Sequence, residues 1–81
     1  MINLEVKTKL RQEEVINRLK EFFGKGGLGL EIAEEAPQCL TFEGGRGHVT
    51  ATVCPEEGKT RINLVSQEWD SQVKKFASGL R

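Results

Sequence analysis

The stretch QCLTFEGGRGHVTATVC, Gln38–Cys54, decides how this chain folds. Leu40 and Phe42 alternate with Thr41 and Glu43 on one arm, and Val49, Ala51 and Val53 alternate with His48, Thr50 and Thr52 on the other. A period of two marks a strand with one dry and one wet face, and Gly44-Gly45-Arg46-Gly47 supplies residues suited to a tight reversal. With Phe42 opposite Val49 and Leu40 opposite Ala51, all five apolar side chains share a face; a slip of one residue would turn one arm's set to water. The same register places Cys39, Thr41, Glu43, His48, Thr50, Thr52 and Cys54 on the outer face.

The pattern extends in both directions. After a Pro55-Glu56-Glu57-Gly58-Lys59 turn, TRINLV repeats the alternation, with Ile62 and Leu64 inward and Arg61, Asn63 and Val65 outward, in a short fifth strand. From about Gln67, Trp69, Val73, Phe76 and Leu80 recur at i, i+4, i+7 and i+11, the stripe of an amphipathic helix. Glu68 and Asp70 in its first turn and Lys74 and Lys75 further on suit the helix dipole. On the N-terminal side, Leu28, Leu30 and Ile32 face inward and Gly29, Glu31 and Ala33 outward in a strand that Pro37 closes. About Leu10 to Phe23, the positions of Val15, Ile16, Leu19, Phe22 and Phe23 form one helical stripe. Ile2, Leu4 and Val6 alternate with Asn3, Glu5 and Lys7 in the first strand.

The expected order is β-α-β-β-β-β-α, an α+β two-layer sandwich with a five-stranded antiparallel sheet and both helices on one face. Residues 1–81 are read as a single domain. A chain this short buries about 60–65% of its unfolded surface, enough for one shared core.

Gly24-Lys25-Gly26-Gly27-Leu28-Gly29 spells the GxGxxG string of dinucleotide-binding loops. Such a loop must follow a strand and precede a helix, because the pyrophosphate sits on free N–H groups at the helix N-terminus. Here the glycines follow a helix, whose C-terminal dipole end repels phosphate. They are read as a cap and turn, with Gly24 in the left-handed cap conformation.

The element order resembles the fold shared by one half of the TATA-box-binding protein and, in elaborated form, the helix-grip proteins related to birch pollen allergen and polyketide cyclases. TRINLVSQEWDSQVKKFASGL, Thr60–Leu80, is similar to the helix-grip passage from the last strand directly into a C-terminal helix. The helix-grip resemblance implies an apolar ligand held between the sheet and the last helix. The TATA-binding resemblance implies a sheet face used for recognition; because Phe22, Phe23, Phe42 and Phe76 all fall on inward stripes, no DNA-binding wedge carries over.

Charge and composition narrow the partners. Twelve Lys+Arg balance twelve Asp+Glu, so no long-range field attracts nucleic acid or anionic lipid. The N-terminal segment has neither a secretory pattern nor a long apolar span, and two cysteines are too few for a secreted disulfide framework, so a cytoplasmic location without membrane contact is expected. Cys39, His48 and Cys54 share the outer face, yet His48 and Cys54 lie roughly 20 Å apart along one strand, beyond any shared metal. Cys39 faces Thr52, leaving Cys54 a diagonal step of about 7 Å away, outside comfortable disulfide distance. Arg61 is the one cation placed to influence the Cys54 thiol. The lone His48 lacks an orienting partner for base catalysis. Glu34-Glu35 and Glu56-Glu57 are read as solubilising turn residues, and Lys7, Lys9 and Arg11 as balanced by neighbouring acids.

No cofactor, metal or catalytic residue is expected. The favoured reading is a non-enzymatic binding module that forms a homo-oligomer through the exposed sheet face or an edge strand, with Cys39, Thr41, Thr50, Thr52, Cys54, Arg61 and Asn63 as interface candidates. The alternative is a carrier of a small apolar ligand between sheet and C-terminal helix; an enzyme with a site on the sheet face around Arg61, Thr50, Thr52 and Cys54 ranks last, since no base is well placed there.

Overall fold

In the computed structural model, which describes residues 2–24 and 26–80, the chain runs β1 (Ile2–Thr8), α1 (Gln12–Phe23), β2 (Glu31–Ala36), β3 (Cys39–Gly44), β4 (Gly47–Glu56), β5 (Lys59–Gln67) and α2 (Asp70–Leu80). The five strands form one antiparallel sheet in the order β1-β5-β4-β3-β2. The fold is α+β, with α1 over β4 and α2 over β1 and β5.

The central hairpin has the register its apolar pattern demands: Phe42 pairs with Val49, Leu40 with Ala51 and Cys39 with Thr52. Gly45, at φ 60°, is the first of the two turn residues, the position that a hairpin turn of the II′ kind reserves for glycine. Leu40, Phe42, Val49, Ala51 and Val53 are buried, as are Ile62 and Leu64 of β5. Val15, Leu19 and Phe23 of α1 and Val73, Phe76, Ala77 and Leu80 of α2 close over them. At the centre, the Phe23 ring lies 4.9 Å from Phe22, 5.5 Å from Phe76 and 5.6 Å from Phe42, within the range of favourable aromatic pairs. Pro55 fits inside β4 because the pairing with β3 ends at Cys39–Thr52, so the missing N–H removes no ladder bond on that side.

Four sequence expectations give way to specific competing interactions. Leu28 lies in the turn before β2 and is exposed, and Ile32, although paired with Phe42 on the inner side, is 43% exposed. Neither helix is packed over β2 as it is over β4, β5 and β1. A register shift between Ile32 and Glu34 makes Ala33 an extra residue, after which Glu35 pairs with Leu40 on the helix side. Glu34 and Glu35 are thus strand residues, and Glu35 meets Lys20 of α1 at 3.2 Å. Leu30 alone of the three expected inward residues is buried.

Gly24 is extended, and the left-handed glycine of the string is Gly29 at φ 79°. Lys25 of the string lies outside the described residues. The loop folds back on the helix it follows: Gly24 N–H donates to Lys20 O (2.9 Å), Leu28 N–H to Phe22 O (3.0 Å), Leu30 N–H to Phe23 O and Gly29 N–H to Gly24 O (both 2.8 Å). Its amides therefore cap carbonyls at the end of α1, the opposite of a phosphate cradle.

The fifth strand reaches Gln67, and α2 begins at Asp70, three residues later than the apolar spacing suggests. Ser66, fully buried, accepts the Trp69 N–H at 3.2 Å, while Trp69 O receives Val73 N–H at 3.0 Å and Trp69 Nε1 donates to Gly44 O at 3.2 Å. Trp69 therefore precedes the helix and ties its start to the β3–β4 turn. Glu68 lies between strand and helix at φ 72°, a conformation costly for a side-chain-bearing residue. Glu68→Gly is expected to stabilise the fold by about 0.5–1 kcal/mol, as a rise in the chemical denaturation midpoint without a change in slope; an unchanged or lower midpoint would count against local strain there.

The last turn of α2 contains no basic residue, contrary to the expected dipole match. The first helix starts at Gln12, with Gln12 Nε2 donating to Pro37 O at 2.9 Å across the layers.

Candidate interaction surface

The pairings align the outer face in rows across the sheet. One row is Asn3, Val65, Thr50, Thr41 and Glu34; the next is Glu5, Asn63, Thr52, Cys39 and Ala36; a shorter one is Lys7, Arg61 and Cys54. The seven candidate residues from the sequence thus occupy one contiguous face on β3, β4 and β5. Thr41, Thr50, Thr52, Cys39, Cys54, Arg61 and Val65 are half-buried by their neighbours, and Asn63 is exposed. Thr41 and Thr50 place their hydroxyl oxygens 3.5 Å apart, directly across β3 and β4.

Arg61 is the electrostatic centre of this face. It pairs with Cys54 on one side and Lys7 on the other, and reaches Glu5 (Nε to Oε1, 3.8 Å) and Glu56 (Nη1 to Oε2, 3.9 Å). A hydrogen bond with the Cys54 side chain, then the Glu56 and Glu5 carboxylates, hold the guanidinium pKa above its ordinary value. These contacts are solvent-exposed, so they order the side chain more than they stabilise the fold. Both cysteines are free. His48 stands across from Glu43 on β3 and Gln67 on β5. Among the described residues, no group of three or more His, Cys, Asp or Glu side chains is arranged to hold a metal ion. Among the same residues no helix is long and apolar enough to cross a membrane.

The two sheet edges differ. On β2, five of six residues are exposed, three of them glutamates, and the strand is bulged. Bulges and charges of this kind obstruct strand addition. The opposite edge, β1, pairs with β5 without interruption over all seven residues and presents its other side unpaired.

Two of the grooves among the described residues bear on function, one between the helices and one at the end of the sandwich where β1 leaves the sheet and β5 enters it. One, of about 380 Å³, runs between α1 and α2 past Phe22, Phe76 and Leu80. The space directly beneath α2 is filled by its own buried Val73, Phe76, Ala77 and Leu80. The other groove, of about 500 Å³, is bounded by Lys7, Lys9, Arg18 and Lys59. Sequence spacing concealed this second grouping because its members come from separate elements. The acids expected to balance Lys7 and Lys9 are engaged elsewhere in part, since Glu5 is paired with Arg61.

No protein-family model matches this chain, and no curated protein is similar to it in sequence.

Proposed function

We propose that this protein is a non-enzymatic interaction module that self-associates through the β1 edge and displays its outer sheet face to a partner. The observation that carries the reading is the contrast between the edges: β2 is bulged and acidic, whereas β1 is regular and open. A second copy laid antiparallel along β1, with Val6 on the two-fold axis, brings Glu5 opposite the partner's Lys7 and Lys7 opposite the partner's Glu5. Leu4 then lies beside the partner's Thr8 on the helix side. Opposite charges directly across strands each contribute about 0.2–1 kcal/mol, and like charges there oppose pairing. The result is an isologous ten-stranded sheet. Its outer face repeats Cys39, Thr41, Thr50, Thr52, Cys54, Arg61 and Asn63 in both copies. The similarity in element order to the TATA-box-binding protein, which uses a sheet face for recognition, is consistent with this use of the surface.

Sedimentation equilibrium across a wide concentration range tests the proposal. Expected are a monomer–dimer equilibrium, dimerisation weakened roughly tenfold by Lys7→Glu, which sets two glutamates face to face across the axis, and recovery in Glu5→Lys/Lys7→Glu. A monomer at every concentration would overturn it, as would a Lys7→Glu protein that dimerises like the parent.

A second reading, carriage of a small apolar ligand, is favoured by the groove between α1 and α2, where Phe22 is only partly buried against the core. Native mass spectrometry of the freshly purified protein checks it. A bound apolar compound lost in Phe22→Ser would support carriage, and ligand-free protein from several expression hosts would count against it.

A further inference from the structure

The second groove is a local concentration of positive charge on a chain with no net charge. Lys7 ends the outer row of β1, Lys9 lies in the β1–α1 connection, Arg18 belongs to α1 and Lys59 opens β5. No carboxylate side chain is among the residues that line it. Among the described residues none of these four cations is in an ion pair, whereas Lys20 and Arg61 both are.

The simplest structural role for such a cluster is to compensate the end of α2, since Gly79 and Leu80 also line the groove. A helix C-terminus carries about half a negative charge. Four cations exceed that severalfold, so most of the positive charge is left for something else. The connection that positions Lys9 is also fixed in advance: Thr60 Oγ1 donates to Leu10 O at 2.7 Å, and Leu10 N–H donates to Thr8 Oγ1 at 3.3 Å. Thr8 and Thr60 are themselves buried and pair across β1 and β5. Hydrogen bonds thus tie down the connection at the bottom of the groove, and four cationic residues line it. Preorganisation of this kind reduces the ordering that a ligand must impose.

We infer that this groove binds a small molecule bearing a phosphate group. A single carboxylate would match only one of the four charges, whereas a phosphate or pyrophosphate carries several and offers oxygens to both planar guanidinium and ammonium donors. The volume falls within the range of small-ligand sites, which favours a phosphorylated metabolite over a bare ion, with Leu10 and Leu80 as the apolar part of the wall. This inference does not depend on self-association. Lys7 is common to both surfaces, so the test rests on Arg18 and Lys59, which lie on other elements and are exposed.

The experiment is an amide NMR titration with sodium pyrophosphate at constant ionic strength, on the parent chain, Arg18→Gln/Lys59→Gln and the control Lys74→Gln/Lys75→Gln. The same spectra report whether each variant is folded. Expected are saturable shifts centred on Thr8, Lys9, Leu10, Arg18 and Lys59, affinity at least tenfold lower in Arg18→Gln/Lys59→Gln, and affinity within twofold of the parent in the control. Flotation with phosphatidylcholine vesicles, with and without phosphatidic acid, distinguishes the source of the phosphate. Binding of pyrophosphate without flotation identifies a soluble ligand; flotation that needs phosphatidic acid and is lost in Arg18→Gln/Lys59→Gln identifies a lipid headgroup. Non-saturating shifts spread over all lysines, or equal weakening in both double variants, would overturn the inference.

Discussion

Phe23→Ala is expected to remove about 3–5 kcal/mol of stability, the largest effect of any single change considered for this chain. Phe23 is fully buried, and its ring is within aromatic contact of Phe22, Phe42 and Phe76, so it joins both helices to β3. Truncation removes the transfer free energy of the ring and leaves a cavity that side chains of both helices and of β3 would have to collapse into. At about 4–8 °C per kcal/mol for a domain of this size, the melting temperature should fall by well over 10 °C. Thermal denaturation followed by circular dichroism measures this directly. A fall of only a few degrees would mean that the core repacks freely and that the aromatic cluster is not its centre. Ile16→Ala is the internal comparison: Ile16 is packed against the core but only partly buried, and its loss should be clearly smaller.

Gly27→Ala is the second large effect, expected to cost about 1–3 kcal/mol although only one methyl group is added. A Cβ on Gly27 would collide with Phe22 O and come within 2.6 Å of Glu21 O and 2.7 Å of Phe22 C. These are backbone atoms of the last helical turn and cannot swing aside. Either the loop lifts and its hydrogen bonds to Phe22 O and Phe23 O weaken, or the end of α1 frays. Urea denaturation should show a lower midpoint, and hydrogen exchange should accelerate at Leu28 and Leu30, whose amides make those bonds. Gly26→Ala provides the contrast, because its added Cβ would meet nothing closer than Glu21 O at 3.8 Å. Equal midpoints for the two variants would refute the close-approach explanation.

That pair of variants also accounts for the dinucleotide-like string. Gly24 and Gly27 stand where a chain that doubles back over the helix it has just left brings backbone against backbone. The sequence revealed that the string stood in the wrong context for phosphate, since context is a matter of element order. It could not reveal that Gly24 and Gly27 are the sterically tight positions or that Gly29 is the left-handed one, because these follow from how the loop is threaded.

The hairpin was readable for a physical reason: alternation rules out every odd slip between β3 and β4, and the short glycine-rich turn selects, among the remaining registers, the one that pairs Phe42 with Val49 and Leu40 with Ala51. The outer-face group around Thr50, Thr52 and Cys54 follows from the same alternation. Alternation was a poorer guide on β2, where an extra residue at Ala33 changes the phase and an edge position leaves Ile32 unburied despite its orientation. Near α2, the apolar spacing placed Trp69 inside the helix, but the side chain of Ser66 takes the Trp69 amide and Glu68 adopts a left-handed conformation, so the helix starts later. The basic groove was unreadable from spacing because Lys9, Arg18 and Lys59 become neighbours only after the chain has closed on itself.

The irregular margin at β2 has a consequence for growth. Units that can join at both sides form chains without limit, and such chains precipitate or become fibres. With Ala33 interrupting the ladder and Glu31, Glu34 and Glu35 repelling a newcomer, the far side obstructs a further strand. In the proposed pairing along β1, a defect of one residue on that side would stop growth at two copies.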